Sequence, residues 1–300
     1  MIAQPQPLLF AVPPRHGGAP EPSGWLHSNW TLEPTIVFGL FVLVVAYIAW
    51  TGPLNRRRPD VDVRVTTKSQ HACFLGGIAT IFIALGPPLD DWSDHYSLLA
   101  HMGQHLLLML VAAPLLLLGL PAWLMRSLLL RQPIIAWIAY RLTRPVAAFA
   151  LSAAIMIVWH VPDFYDAALR STPLHVIEHL SFVVAAFLMW WPLVSPLPEW
   201  PRLSPALQCL YYFALTIPSG LVGAFITLGE PGMYEVYAAA PRTLGLGLEA
   251  DQELAGILMW LGGSSLFLAL MTITFFRWAG QEEAADRAAT PADALPGGSA

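Results

Sequence analysis

Seven continuous apolar stretches dominate this chain, at about residues 35–51, 71–86, 97–119, 146–161, 174–194, 205–228 and 254–276. Each approaches or exceeds the roughly 17–25 helical residues that cross a hydrocarbon core. The second and fourth are the short ones. The runs are continuous rather than alternating, which excludes a membrane β-barrel. The expected fold is therefore an all-α membrane protein, a seven-transmembrane-helix bundle. Composition agrees, with 56% of the 300 residues hydrophobic and 12% charged, about half the charge of a soluble domain. The expected organisation is a short outer N-terminal tail (1–33), a transmembrane domain (34–277) and a cytoplasmic tail (278–300). That last tail is rich in Ala, Asp and Pro and reads as disordered.

Basic residues set the orientation, because Lys and Arg gather in cytoplasmic loops. Arg56, Arg57, Arg58, Arg64 and Lys68 fall in the first loop, and Arg126, Arg131, Arg141 and Arg144 in the third. Arg202 falls in the fifth, and Arg277 and Arg287 follow the last stretch. Only Arg15, Arg170 and Arg242 fall on the other side, which also carries thirteen of the twenty acidic residues. The N-terminus is thus expected outside and the C-terminus in the cytoplasm of a cell whose inner membrane holds the chain. Residues 1–20 have no basic residue before Arg15 and no long apolar core, unlike a cleavable signal peptide. Two cysteines make no disulfide framework. No basic cluster of the kind that binds nucleic acid is present.

Histidine carries the chemistry. His16 and His27 lie in the N-terminal tail and His71 at the cytoplasmic end of the second stretch, but six others fall at the outer end of the bundle. His95 precedes the third stretch, His101 and His105 open it, His160 closes the fourth, and His175 and His179 open the fifth. Alternating helix direction alone brings these ends to one depth. His101 and His105 are four apart, as are His175 and His179, so each pair shares a helix face. Two imidazoles so placed can hold one metal ion. The candidate metal ligands are therefore His101, His105, His160, His175 and His179. Met102, Met109 and Met156 lie near them, and thioether beside imidazole suits copper, Cu(I) above all; zinc is the alternative. Asp251 and Glu253, opening the last stretch, are further candidates as ligands or as acceptors for imidazole N–H groups.

A local pattern competes. His175-Val-Ile-Glu178-His179 reads as H-x-x-E-H, in which two histidines bind zinc and the glutamate is a general base. It opens an apolar helix with no peptidase domain around it. Cys73 and Cys209 lie near cytoplasmic helix ends, away from the histidines, and C-x-x-C-H haem attachment is absent. Other readings of the same cluster are an intramembrane haem redox protein, a seven-helix zinc hydrolase and a metal permease. The permease lacks a polar trail towards the cytoplasm.

Four blocks carry a resemblance. They are His101-Met-Gly-Gln-His105-Leu-Leu-Leu-Met109 with Ala-Pro114-Leu-Leu-Leu-Leu-Gly119, then Trp159-His160-Val-Pro162-Asp163-Phe-Tyr165-Asp166, His175-Val-Ile-Glu178-His179-Leu-Ser-Phe, and Asp251-Gln-Glu-Leu-Ala-Gly256-Ile-Leu-Met259-Trp260. Together they resemble the multi-pass CtaG family of cytochrome c oxidase assembly factors over about two-thirds of the chain. The resemblance implies a non-enzymatic role in maturing haem-copper oxidases, by bringing copper to the catalytic subunit of cytochrome c oxidase. A copper donor protein and the lipid bilayer would be further partners. It supplies no ligand set; the histidine assignments rest on depth and spacing.

Overall fold

The computed structural model describes residues 32–56, 66–242 and 245–289. Every regular element among them is helical. In order they are α1 (Pro34–Thr51), α2 (Lys68–Ala84), α3 (Leu89–His95), α4 (Leu98–Gly119), α5 (Ala122–Leu129), α6 (Pro133–Leu142), α7 (Pro145–Trp159), α8 (Pro162–Arg170), α9 (Thr172–Val194), α10 (Pro205–Leu228) and α11 (Leu248–Ala288), besides two four-residue turns. Five of them, α1, α4, α9, α10 and α11, are long and apolar enough to span a membrane. The count reaches seven if two bent pairs each make one span: α2 with α3, bent by 43°, and α6 with α7, bent by 75°.

Proline opens many of these helices. It sits at the first or second position of α1, α6, α7, α8, α9 and α10, where its missing N–H has no intrahelical partner to lose. The faces then sort in the sense opposite to a soluble protein. On α9, Val176, Ile177, Leu180 and Val184 are exposed, while His175, Glu178, Phe182, Ala185 and Ala186 are buried. Polar groups inside and aliphatic groups outside are the arrangement that lipid favours, since an ionisable side chain facing hydrocarbon is costly. The chain is accordingly a multi-pass membrane protein.

Packing is tightest between α10 and α11. A Cβ at Gly223 would lie 2.6 Å from the Trp260 nitrogen and 2.7 Å from the Gly256 carbonyl oxygen, so only hydrogen fits there, as at other close membrane-helix crossings. On the far side, Tyr47 of α1 stacks on Phe74 of α2 with ring centroids 3.7 Å apart. Its hydroxyl donates to the Gly119 carbonyl at 2.9 Å, tying the peripheral α1 to the end of α4.

Two helices widen mid-course into π turns, Leu107–Ala112 in α4 and Leu258–Gly262 in α11. In α4 the cause is local. Pro114 has no N–H for the carbonyl four residues back, and its ring crowds that carbonyl. Both widened turns are held by donors from neighbouring helices. Trp190 Nε1–H donates to the Met109 carbonyl at 2.8 Å, and the Ser219 hydroxyl to the Met259 carbonyl at 2.7 Å.

The last helix departs from expectation. A disordered tail was expected from residue 278, yet α11 runs on to Ala288. The extension is built of good helix formers, braced by Trp278 Nε1 on Glu282 at 3.1 Å and by Arg287 on Glu283 at 3.6 Å. Residues 290–300, most of the expected tail 1–33 with His16 and His27, and Arg57, Arg58 and Arg64 lie outside the described residues.

Candidate metal centre

The beginnings of α4 and α9 and the end of α7 meet at one end of the bundle. Each owes its place to local chemistry. Ser97 accepts from the Ala100 N–H at 3.2 Å and so caps α4. Asp251 of α11 reinforces the cap, accepting from the Ser97 hydroxyl at 2.6 Å and from the Leu98 and Leu99 amides at 2.9 and 3.3 Å. Carboxylate at a helix N-terminus is favoured by the dipole and by the orphan amides there. α7 stops at Trp159, whose indole donates to Ser181 of α9 at 2.7 Å. Residue 160 is its C-cap.

All five candidate histidines converge. Ring centroids are 4.4 Å apart for His101–His105 and 4.3 Å for His175–His179. The two pairs face each other, with His101 5.6 Å from His175 and 6.0 Å from His179, and His105 5.8 Å from His179. His160 stands 5.7 Å from His105. His101, His105, His160 and His175 are buried and His179 half-buried.

Glu178 completes the group. It is fully buried, with Oε1 3.6 Å from His105 Nε2. Asp94, from α3, lies 3.7 Å from His175 Nε2. Two trios have all their donor atoms within 4.8 Å of one another: His101, His175 and His179, and His101, His105 and Glu178. Both contain His101.

Hydrogen bonds fix where the lone pairs lie. The Tyr237 hydroxyl donates to the Ser93 carbonyl at 2.5 Å, which can only accept. The Tyr237 oxygen therefore accepts from His101 Nδ1–H at 3.0 Å. That leaves His101 Nε2 as a lone pair aimed at His105 Nε2, 2.9 Å away. His160 Nδ1–H donates to the Met156 carbonyl at 2.6 Å, which leaves its Nε2 as a buried lone pair with no hydrogen-bond partner. Tyr234 donates to the His160 carbonyl at 2.8 Å, and Tyr165 is packed beside Tyr234 and Tyr237. An imidazole whose other nitrogen is tied to a carbonyl or hydroxyl is the usual state of a metal-ligating histidine. The donor set, imidazole nitrogen with one carboxylate, fits a transition-metal ion.

Several candidates play other parts. Asp251, a candidate ligand or imidazole acceptor, spends its carboxylate on the α4 N-terminus, and Glu253, the other candidate, is exposed. His95 pairs with Asp91 at 3.4 Å, and His71 packs edge-on against Tyr47. Cys73 and Cys209 are free thiols. In the sequence Glu178 stood in a protease-like pattern and in one of the family blocks, with no role as a ligand. A carboxylate inside an apolar helix was a signal in its own right. Asp94 and Tyr237 come from the short α3 and from the four-residue turn Glu235–Ala238, which only the fold brings to the cluster.

The Asp251 assignment has a measurable consequence. Asp251→Ala leaves three donors at the start of α4 without their acceptor and costs about 1–3 kcal/mol of stability. The variant should melt earlier in detergent while binding as much metal as the parent. Loss of metal at unchanged thermal stability would return Asp251 to the ligand set.

Fold and site together define a multi-pass membrane protein with an ionisable cluster enclosed at one end of its helices. The model of the family described as cytochrome c oxidase caa3 assembly factor (Caa3_CtaG) matches residues 45–281, and the chain belongs to that family. Comparison with curated proteins and with solved structures found no match.

Proposed function

We propose that this protein is a non-enzymatic assembly factor that holds copper in the five-histidine cluster and passes it to the catalytic subunit of a haem-copper oxidase. The observation that carries the reading is the enclosure of five imidazoles and Glu178 at one end of the bundle. Ionisable groups placed so are costly unless they serve a ligand. Family membership supports the oxidase; the donor chemistry supports copper, with zinc as the competing ion. His101 Nε2 and His160 Nε2 are lone pairs held ready, and His175 and His179 close the site from the facing helix. His179, the half-buried member, is the side from which a donor protein loads the ion and the oxidase subunit takes it.

A haem reading fits less well, because the cavity adjoining the cluster has a volume of about 30 Å³, far below that of a macrocycle. A hydrolase reading draws on the same histidines, with zinc in place of copper, and on the H-x-x-E-H pattern. Glu178 lies 3.6 Å from His105 Nε2, and the family is described as one of assembly factors, which favours the non-enzymatic reading.

The proposal includes seven spans, each bent pair counting as one, with the N-terminus and the histidine cluster on the outer face of the cell membrane and the C-terminus in the cytoplasm. The loop distribution of arginine supports this. Reporter fusions after Arg58 and after Asp94 should report opposite sides; the same side for both contradicts it.

The functional test is the oxidase made by cells that lack this protein, grown with limiting copper. Oxidase purified from them should contain haem and be depleted of active-site copper. Oxidase with full copper would overturn the reading.

A further inference from the structure

Directly beneath the histidine cluster lies the cavity of about 30 Å³, and its wall is unusual. Met109 of α4, Met156 of α7, Met189 of α9 and Met259 of α11 all line it. These are four of the nine methionines in the chain, each from a different helix, around one small space. His105 lines the same cavity and belongs also to the cluster.

The other polar groups of the wall are spent. Ser152 donates to the Phe149 carbonyl at 3.0 Å and Ser219 to the Met259 carbonyl at 2.7 Å. The other donors among the lining side chains are four thioethers and the imidazole of His105, whose Nδ1 is buried without a hydrogen-bond partner. Methionine ordinarily fills irregular gaps because its chain is flexible. Four such side chains around a gap that stays open are not explained by filling.

The backbone points to the same place. Met109 and Met259 are the two methionines that sit in the π turns of α4 and α11. π turns recur at functional sites because they displace one side chain from the helical register. Here each displaced turn is pinned through its methionine carbonyl, by Trp190 and by Ser219.

We infer that this cavity is a second metal subsite, a thioether site for Cu(I), with His105 standing between it and the histidine cluster above. Thioethers are soft, uncharged donors and select Cu(I) over Zn(II) and other harder ions. The volume matters too. One water needs roughly 10–15 Å³ of such space, so the cavity of about 30 Å³ has room for an ion but not for its full hydration shell. Glu178 is not part of the wall but lies 3.6 Å from His105 Nε2, where a carboxylate can offset the charge of a monovalent ion in an apolar interior. This inference rests on the reading of the cluster as a copper site and deepens it. The cargo would be Cu(I), and the protein would hold two ions at two depths.

The test uses full-length protein in detergent, titrated anaerobically with Cu(I) against a chelator, with X-ray absorption at the copper edge. The wild type should bind two equivalents and show sulfur as well as nitrogen scattering. The quadruple variant Met109→Leu, Met156→Leu, Met189→Leu, Met259→Leu conserves volume; it should bind one equivalent with no sulfur scattering. The variant His175→Ala, His179→Ala should retain a sulfur-bound ion and lose the other. Wild type without sulfur scattering, or a quadruple variant of unchanged stoichiometry, would overturn the subsite and leave the cluster standing. A single sulfur-bound ion unaffected by the histidine substitutions would do the reverse. If the quadruple variant fails to fold, the sulfur signal of the wild type decides the question alone.

Discussion

Cells carrying His101→Ala with His105→Ala, or His175→Ala with His179→Ala, are expected to assemble oxidase that contains haem but lacks active-site copper. Each double substitution removes one of two facing pairs, whose rings approach to within 5.6–6.0 Å across the site. The remainder is three imidazoles at most, with His160 5.7 Å from His105. Loss of groups that merely orient ligands already costs 10–100-fold in affinity, so loss of two ligands should cost more than about 100-fold. Alanine near a helix end is inexpensive to insert, and both variants should reach the membrane at near-normal levels. His95→Ala, which removes a histidine paired with Asp91 outside the cluster, serves as the control and should leave oxidase intact. Excess copper in the medium should partly restore activity, because occupancy of a weakened site recovers with free metal. Stable double variants with fully metallated oxidase would make these histidines structural polar residues.

Glu178→Gln should be nearly as damaging, for an electrostatic reason. The glutamine keeps size and most hydrogen-bonding capacity and discards the charge. Glu178 is the carboxylate buried within the cluster, and Asp94 is partly exposed at its edge. A cation bound about 4 Å from a carboxylate gains roughly 4 kcal/mol at an effective dielectric of 20, which corresponds to about a thousandfold in affinity. Cu(I) affinity should fall by that order, with the protein still folded, since no buried cation is left unpaired in the metal-free state. Chelator competition reads this directly. Unchanged affinity in Glu178→Gln would mean that the carboxylate braces α9 against α4 and plays no part in holding the ion.

The convergence of the five histidines was legible because it needs only topology. α4 and α9 start where α7 ends, and a four-residue spacing puts each pair on one face. Glu178 was harder to place, since its role depends on lying next to His105 across two helices, and sequence spacing speaks only within one. Asp251 was misread for a related reason. Depth put it beside the imidazoles, but the free amides at the start of α4 compete for a carboxylate at that depth and hold it. The second and fourth apolar stretches proved to be the bent ones, as their shortness and their neighbouring prolines would lead one to expect. The π turns were not legible, since the carbonyls they free are held by Trp190 and Ser219 on other helices, and spacing along one helix does not show such partners. With them the methionine cavity was hidden, although Met109 and Met156 had been noted for their sulfur. The extension of α11 was obscured by composition: its residues 278–288 combine acidic, alanine-rich polarity with high helix propensity, and the helix won.

The central claim is that the cluster carries copper, and the metal content of the protein itself tests it most directly. Protein extracted in mild detergent from cells grown with ample copper should contain copper at close to one ion or more per chain. It should show imidazole nitrogen in the copper absorption spectrum and no haem Soret band. In His101→Ala/His105→Ala the nitrogen-coordinated copper should be lost. Wild-type protein that carries zinc or haem in place of copper, or copper that survives in that variant with unchanged nitrogen coordination, would contradict the account.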